Sequence, residues 1–161
     1  MGDAIGGRVL VVSDELARAQ AHAAELARGG VATFATNEVA AACERLRDEV
    51  FDAVIADLGE SELSCLAVVR SAARAQPPVR IVCILSEARA GTQAGGWAIR
   101  EAAFACLPHD VAAQDLVLSV SSAMEAHRVF TSMRSPADRV DTASMAGAEA
   151  PGGSPGGVSW R

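Results

Sequence analysis

The sequence predicts an α/β domain, a doubly wound five-stranded parallel sheet with helices on both faces. Over about 125 residues, five short apolar segments alternate with segments whose apolar residues recur at helical spacing. The apolar segments are rich in β-branched residues, and continuous runs such as RVLVV at 8–12 are typical of strands buried on both faces. Glycine pairs and prolines separate the segments and end the predicted helices.

The predicted elements follow one another in strict alternation. The strands are predicted at residues 8–12, 31–35, 51–56, 79–85 and 104–107, and the helices at 14–28, 38–49, 63–73, around 96–101 and at 111–130. Ser13-Asp14-Glu15 and Thr36-Asn37 offer oxygens that cap the first two helices. The helix residues predicted to face the sheet are Leu16, Ala19, Ala23, Leu26, Val39, Ala42, Leu46, Val50, Leu63, Leu66, Val69, Ala73, Leu116, Val120 and Ala123.

Composition indicates one domain, predicted at residues 8–130. Residues 1–7 and the Gly-, Pro- and Ser-rich tail at 131–161 cannot bury enough apolar surface and are expected to be disordered. The chain has 161 residues and a net charge of −6, which argues against a general nucleic-acid binder. It has no run of about eighteen apolar residues and no export signal. We therefore expect a cytoplasmic protein that neither spans a membrane nor binds nucleic acid.

Cysteine and histidine patterns predict no metal or redox centre. The cysteines are Cys43, Cys65, Cys83 and Cys106, and the histidines are His22, His109 and His127. The cysteines lack the paired spacing of a zinc or redox motif, so we expect them to be reduced and buried. The histidines are far apart in sequence, and those at 22 and 127 are expected on exposed helix faces.

Polar residues follow several of the predicted strands. Ser13-Asp14-Glu15 follows the first strand, Asp57 and Gly59 the third, and Ser86 and Glu87 the fourth. In doubly wound sheets the functional site lies at the carboxyl ends of the strands, so these side chains are its candidates. Taken alone, Asp57 and Ser86 also suit helix caps, because carboxylates and hydroxyls commonly accept hydrogen bonds from helix N-termini.

Four segments, in order and at similar spacing, resemble the receiver domain (CheY-like) of bacterial two-component response regulators. They are VLVVSDE at 9–15, FDAVIADL at 51–58, IVCILSEA at 81–88 and FACLP at 104–108. The resemblance extends over residues 8–130 and implies the flavodoxin-like strand order 2-1-3-4-5.

The resemblance implies a role for each matching residue. Asp57 matches the phospho-accepting aspartate, and Ser86 matches the hydroxyl residue that hydrogen-bonds the phosphoryl group. Asp14, Asp57 and the backbone carbonyl at Gly59 match the protein ligands of Mg²⁺, a cation that prefers hard oxygen donors. Phe104 matches the aromatic switch residue, which changes rotamer together with that hydroxyl.

Two departures from the family pattern predict a weakened, atypical receiver. Ser13 stands where the family has the first of two adjacent acids, and Leu107 stands where it has a lysine that neutralises phosphoryl charge. All 14 basic residues are arginines, so no other lysine replaces it, and whether Arg89 or Arg100 reaches in stays open. Loss of one preorganised cation typically costs about 10²–10³ in rate, so we expect slow phosphorylation and a weakened Mg²⁺ site.

The leading interpretation is a single-domain receiver in phosphorelay signal transduction, not an enzyme. It accepts a phosphoryl group on Asp57 from a sensor histidine kinase or phosphotransfer protein. It then binds a downstream protein through a face that includes Trp97, Phe104 and the last helix. Trp97 also suits simple packing against Phe104. The alternative is a pseudo-receiver that acts as a phosphorylation-independent interaction module. A flavodoxin-like enzyme or cofactor binder is disfavoured, because VVSDELAR lacks the G-x-G-x-x-G phosphate loop.

Overall fold

The computed structural model describes residues 6–59, 62–85, 99–100 and 102–134. Its strands are β1 (Arg8–Ser13), β2 (Ala32–Thr36), β3 (Ala53–Asp57), β4 (Arg80–Leu85) and β5 (Ala105–Pro108). Its helices are α1 (Leu16–Arg28), α2 (Val39–Asp48), α3 (Glu62–Arg74) and α4 (Ala113–Met133). Of the helix predicted around 96–101, only residues 99 and 100 are described, and both are helical. Most of the predicted tail at 131–161 and of the segment at 1–7 lies outside the described residues.

The strands form one parallel sheet in the order β2-β1-β3-β4-β5, which confirms the predicted fold class. β1 pairs with both β2 and β3, and its last residue, Ser13, is in register with Asp57 at the end of β3. Parallel strands end at the same edge of a sheet, so the residues that follow β1 and β3 meet there.

The sheet separates two apolar cores. Leu10 and Val54 point into the core under α2 and α3, whereas Val11 and Ile55 point into the core under α1 and α4. Every residue of β3, and every residue of β1 except Arg8, is buried. Burial on both faces explains the continuous apolar runs that predicted these strands. It also holds the strand ends, and hence the site, rigidly in place.

Some helix residues that were predicted to face the sheet are exposed instead. They are Leu16, Val50, Leu63 and Ala73. Leu16 is the first residue of α1, and Val50 follows the end of α2, so neither lies over the core. In α3 the buried residues include Cys65 and Val68, which places the core-facing stripe about 100° from the prediction. The prediction was wrong because small and apolar residues form two neighbouring stripes along this helix.

The cysteine prediction is confirmed for two residues and wrong for the other two. All four are free thiols, but only Cys65 and Cys83 are buried, whereas Cys43 is half-buried and Cys106 is exposed. Cys106 lies on β5, which pairs with β4 alone and whose residues alternate between half-buried and exposed. An apolar run at the edge of a sheet buries fewer of its side chains than the same run at the centre.

Helix α4 buries a histidine that was expected to be exposed. His127 is 3% exposed, and its Nδ1 lies 3.1 Å from the carbonyl oxygen of Pro78. A ring nitrogen with such a partner can be buried at low cost, which the helical periodicity alone does not reveal. No helix in the described part of the chain is long and apolar enough to cross a lipid bilayer.

Candidate functional site

Asp57 ends the central strand β3 at the carboxyl edge of the sheet. Its side chain is almost fully buried, at 1% exposure for the residue. The backbone N–H of Asp14, directly after β1, donates a hydrogen bond to the carbonyl oxygen of Asp57 at 3.3 Å. This bond continues the β1–β3 pairing by one residue and places Asp14 beside Asp57.

Gly59 permits the close approach of the loop after β3 to Asp14. Its φ is +54°, in the left-handed region that glycine adopts without a steric penalty. A Cβ at this position would lie 2.7 Å from Oδ2 of Asp14, so a larger residue would displace the Asp14 carboxylate. The structure therefore brings together Asp14, Asp57 and Gly59, the three positions that the family resemblance assigned to Mg²⁺.

Ser13 does not replace the missing acid. Its buried hydroxyl accepts a hydrogen bond from the backbone N–H of Glu15 at 3.2 Å, which closes the turn between β1 and α1. Glu15 is the N-cap residue of α1, and no side chain caps this helix, contrary to the prediction. The same hydroxyl lies 3.4 Å from Oδ1 of Asp14. The Glu15 side chain is exposed, and its Oε2 lies 3.9 Å from Arg18. Asp14 and Asp57 are thus the two carboxylates that the β1 and β3 ends supply.

Helix α1 directs two basic side chains toward Asp57. His22 Nε2 lies 2.8 Å from Oδ2 of Asp57. Arg18 Nη1 lies 3.5 Å from Oδ1 of Asp57 and 3.8 Å from Oδ1 of Asp14. Although Oδ1 of Asp57 is buried, it has no hydrogen-bond partner among the described residues. His22 therefore contacts Oδ2 at hydrogen-bond distance, whereas the buried Oδ1 lies beside the Arg18 guanidinium group without a hydrogen bond from the described residues.

Neither Arg18 nor His22 is among the site residues predicted from the sequence. They lie four residues apart on one face of α1, and Asp14 lies four residues before Arg18, just ahead of the helix. This stripe starts at a strand end, which is the signal that could have revealed it. His22 was instead predicted to be exposed; this was wrong, because the stripe borders the buried face that contains Ala19 and Ala23.

Solved structures of receiver domains share this architecture. A response regulator receiver domain protein (CheY-like) from Methanospirillum hungatei JF-1 matches with a TM-score of 0.62 and 14% identity, over 75% of this chain and 95% of that chain. A response regulator receiver domain protein from Clostridium thermocellum matches with a TM-score of 0.63 and 20% identity, over 76% and 98%. The fold is that of a receiver domain. No family model matches the sequence, and no curated protein matches it.

A longer protein contains the same fold as one part. NtrX from Brucella abortus, solved in complex with ADP, matches with a TM-score of 0.65 and 19% identity. The match extends over 89% of this chain but only 30% of that chain. Identities this low establish the shared receiver fold, while the chemistry has to be argued from the residues of the site.

On β5, the position of the family lysine is occupied by the uncharged Leu107. Leu107 is half-buried and packs against the core under α1 and α4. Arg100 is exposed and acts on a different group: burial raises the pKa of the Cys106 thiol, and Arg100 partly opposes that rise. Arg89 lies outside the described residues. Among the described residues, the cation beside Asp57 is therefore Arg18 on α1.

Roles were also predicted for Ser86, Trp97 and Phe104. Ser86 and Trp97 lie outside the described residues, so their assigned roles stay predictions. Phe104 directly precedes β5, is 40% exposed, and donates its backbone N–H to the carbonyl oxygen of Ile81 at 2.8 Å. The role of Phe104 as a switch residue also stays a prediction.

The donor set suits Mg²⁺, though less well than in the family pattern. The carboxylates of Asp14 and Asp57 and the carbonyl at Gly59 are hard oxygen donors, and the Asp14 carboxylate lies next to Gly59. Arg18 lowers cation affinity, because a positive charge near both carboxylates opposes a second one. Within the described ranges, no group of three or more His, Cys, Asp or Glu side chains forms a metal-binding cluster. A weak site is the expected result.

Proposed function

We propose that this chain is an atypical response-regulator receiver that accepts a phosphoryl group on Asp57. The arrangement of the Asp57 carboxylate carries the proposal. Oδ2 is held by His22 at 2.8 Å, whereas the buried Oδ1 has no hydrogen-bond partner in the described part of the chain. A carboxylate with one oxygen fixed and the other uncommitted is suited to nucleophilic attack on phosphorus.

The transfer requires no redox chemistry. An oxygen of Asp57 attacks the phosphorus of a phosphohistidine on a sensor kinase or phosphotransfer protein, forming an O–P bond. The P–N bond breaks, and its electron pair returns to the imidazole nitrogen of the donor. Asp14, Asp57 and the Gly59 carbonyl are the groups that would hold Mg²⁺, which when bound reduces repulsion between carboxylate and phosphoryl oxygens. Ser86 is assigned to the phosphoryl oxygens by the family resemblance.

The proposed output is binding to a downstream protein through the face that includes Trp97, Phe104 and the last helix, α4. Phe104 is exposed, and α4 exposes further large apolar side chains, namely Leu118, Val129, Phe130 and Met133. Exposed apolar side chains are the contacts that a protein partner would bury.

A second candidate function is a phosphorylation-independent interaction module. Asp57 is 1% exposed. The Arg18 guanidinium group lies near Oδ1 of its carboxylate, and His22 is hydrogen-bonded to Oδ2. A carboxylate that is buried and paired in this way is stable without any modification. In this pseudo-receiver the same surface binds its partner constitutively.

Intact-mass analysis after incubation with Mg²⁺ and acetyl phosphate separates the two candidates. A receiver gains the mass of one phosphoryl group through an acid-stable, base-labile bond, and the isosteric variant Asp57→Asn gains none. Asp52→Asn, a change at another aspartate, is the matched control and gains the phosphoryl group normally. An unchanged mass of the wild-type protein at saturating donor contradicts the phospho-acceptor role and supports the interaction module.

A further inference from the structure

The positive charge at the phospho-acceptor comes from a helix rather than from the last strand. Arg18 Nη1 lies 3.5 Å from Oδ1 of Asp57, and His22 Nε2 lies 2.8 Å from Oδ2. Leu107, at the position of the family lysine, has no charge to offer. The Arg18 and His22 side chains are 26% and 18% exposed, so solvent weakens their effect only in part.

We propose that Arg18 is the phosphoryl-binding cation of this chain and takes the place of the missing lysine, with His22 holding the carboxylate in position. This inference rests on the proposed phosphorylation of Asp57. Arg18 binds the phosphoryl oxygens, and His22 is a positioning residue that fixes the carboxylate for attack.

The geometry suits Arg18 to a phosphoryl group better than to the free carboxylate. Its Nη1 lies 3.5 Å from Oδ1 of Asp57 and 3.8 Å from Oδ1 of Asp14, beyond ordinary hydrogen-bond length. A phosphoryl group attached to Oδ1 adds three oxygens next to this guanidinium. Arginine presents several N–H donors in a planar fork that matches phosphoryl oxygens, so its contacts improve once the group is attached.

The position of His22 selects the oxygen that attacks. Its hydrogen bond to Oδ2 occupies that oxygen and fixes the carboxylate plane, because the ring itself is anchored on α1. The uncommitted Oδ1 then forms the bond to phosphorus. The P–N bond of the donor breaks as described above, and the new negative charge develops on the side where Arg18 lies.

The alternative arrangement is that Arg18 shields Asp57 and blocks transfer. The two possibilities predict opposite changes in the rate of phosphoryl transfer when Arg18 is removed. If Arg18 stabilises the phosphoryl group, its removal slows transfer; if it shields the carboxylate, its removal speeds transfer. The sign of the effect therefore decides the question.

The test compares rates of phosphorylation by acetyl phosphate with Mg²⁺, followed by intact mass, in a matched series of variants. Arg18→Ala is expected to slow the reaction by about 10²-fold, the typical loss of one preorganised donor. Arg18→Lys, which keeps the charge, is expected to restore most of the rate. Arg28→Ala is the charge-matched control, since Arg28 lies on the same helix and pairs with Glu25 at 2.9 Å, and it should leave the rate unchanged. Circular dichroism and thermal unfolding verify that each variant is folded.

His22 is tested with a pair of variants that separates its hydrogen bond from its size. His22→Gln retains a side-chain N–H donor, whereas His22→Leu removes it. We expect His22→Leu to react about tenfold more slowly, as for a lost hydrogen bond to a charged group, and His22→Gln to retain most of the rate.

A second measurement detects the site without covalent transfer. Beryllofluoride, a phosphoryl mimic, is titrated with Mg²⁺ present, and binding is followed by ¹⁹F NMR. Arg18→Ala is expected to weaken binding by at least about tenfold relative to the wild type and to Arg28→Ala.

The outcomes distinguish this inference from the function on which it rests. Phosphorylation of the wild type with an equal or faster rate in Arg18→Ala overturns the inference and leaves the phospho-acceptor role intact. Equal beryllofluoride affinity in Arg18→Ala and the wild type overturns it too, as does an equal loss of rate in Arg28→Ala. If the wild type takes up no phosphoryl group, the proposed function fails and this inference fails with it.

Discussion

The two sides of the Asp57 site differ in charge. On the β1–α1 side, Asp14, Arg18 and His22 all converge on Asp57. On the β5 side, the matching position is Leu107, which is half-buried and packs against the core. In this chain the positive charge beside Asp57 thus comes from a helix that starts near the end of β1, and the β5 position is apolar.

The same two sides differ in how firmly the sheet holds them. β1 pairs on both edges and has a core on each face, whereas β5 pairs only with β4 and its residues alternate between half-buried and exposed. The β1–α1 side of the site, which carries the charged residues, is thus better anchored than the β5 side. Rigid support matters for such groups, because a displaced cation loses much of its electrostatic effect.

The largest expected effect is on stability, and it tests the difference in anchoring. Leu10→Ala, in the fully buried part of β1, is expected to lower the free energy of unfolding by about 2–5 kcal/mol. Leu107→Ala removes the same atoms from a half-buried site on β5 and should cost clearly less. Urea denaturation of both variants measures the two values. Equal losses would contradict the view that β5 is the weaker side.

A lysine at position 107 tests whether the two sides are interchangeable. Leu107→Lys is expected to speed phosphorylation of Asp57 by about 10–100-fold, because it adds a second cation near the developing charge. The long side chain keeps its apolar stem against the core, so we expect a stability loss of only about 1 kcal/mol. Rates with acetyl phosphate and Mg²⁺ measure the gain.

The matched test is the double variant Arg18→Ala with Leu107→Lys. If either side can supply the charge, the added lysine restores most of the rate that Arg18→Ala loses. A rate that stays as low as in Arg18→Ala alone would show that position 107 does not face the phosphoryl group.

The fold was predictable because its signals are local. The apolar runs of β1, β3 and β4 are bounded by turn residues, and burial on both faces requires such runs. The meeting of Asp14 with Asp57 was also predictable, because parallel strands end at one edge. Where small and apolar residues are mixed, as around Leu63 in α3, two stripes compete, and the sequence pattern does not decide between them.

Arg18 and His22 illustrate what the sequence pattern leaves undecided, even though their spacing marks them as candidates. Whether their side chains reach Asp57 depends on the angle at which α1 packs on the sheet, which is set by contacts of Ala19, Ala23 and Leu26 with the core. Small residues such as alanine allow a close approach of the helix, but helical periodicity gives no distance. Tertiary packing therefore decides whether a polar stripe next to the buried face points to solvent or into a pocket.

The close contact between Gly59 and Asp14 gives a further prediction. Gly59→Ala is expected to cost about 1–2 kcal/mol of stability, because its φ of +54° is unfavourable for a residue with a Cβ. The added Cβ would lie 2.7 Å from Asp14 Oδ2 and push that carboxylate away, so Mg²⁺ affinity should also fall.

Gly30→Ala is the matched control: Gly30 has a φ of +81° at the end of α1, far along the helix from Asp14. It should lose stability but keep its Mg²⁺ affinity, measured by NMR titration; an equal loss of affinity in both variants would contradict the close contact of Gly59 with Asp14.

The smallest expected effect compares two cysteines that face each other across neighbouring strands. Cys83 on β4 is in register with Cys106 on β5, but Cys83 is fully buried and Cys106 is exposed. Cys106→Ser should change the free energy of unfolding by less than about 0.5 kcal/mol.

Chemical modification compares the same two cysteines. In the native protein, iodoacetamide should modify Cys106 and spare Cys83. Burial raises the pKa of the Cys106 thiol, so its thiolate fraction at neutral pH is small and its modification should accelerate as pH rises. Modification of Cys83 at the same rate would mean that β4 is as accessible as β5, and would contradict the position of β5 as the exposed edge of the sheet.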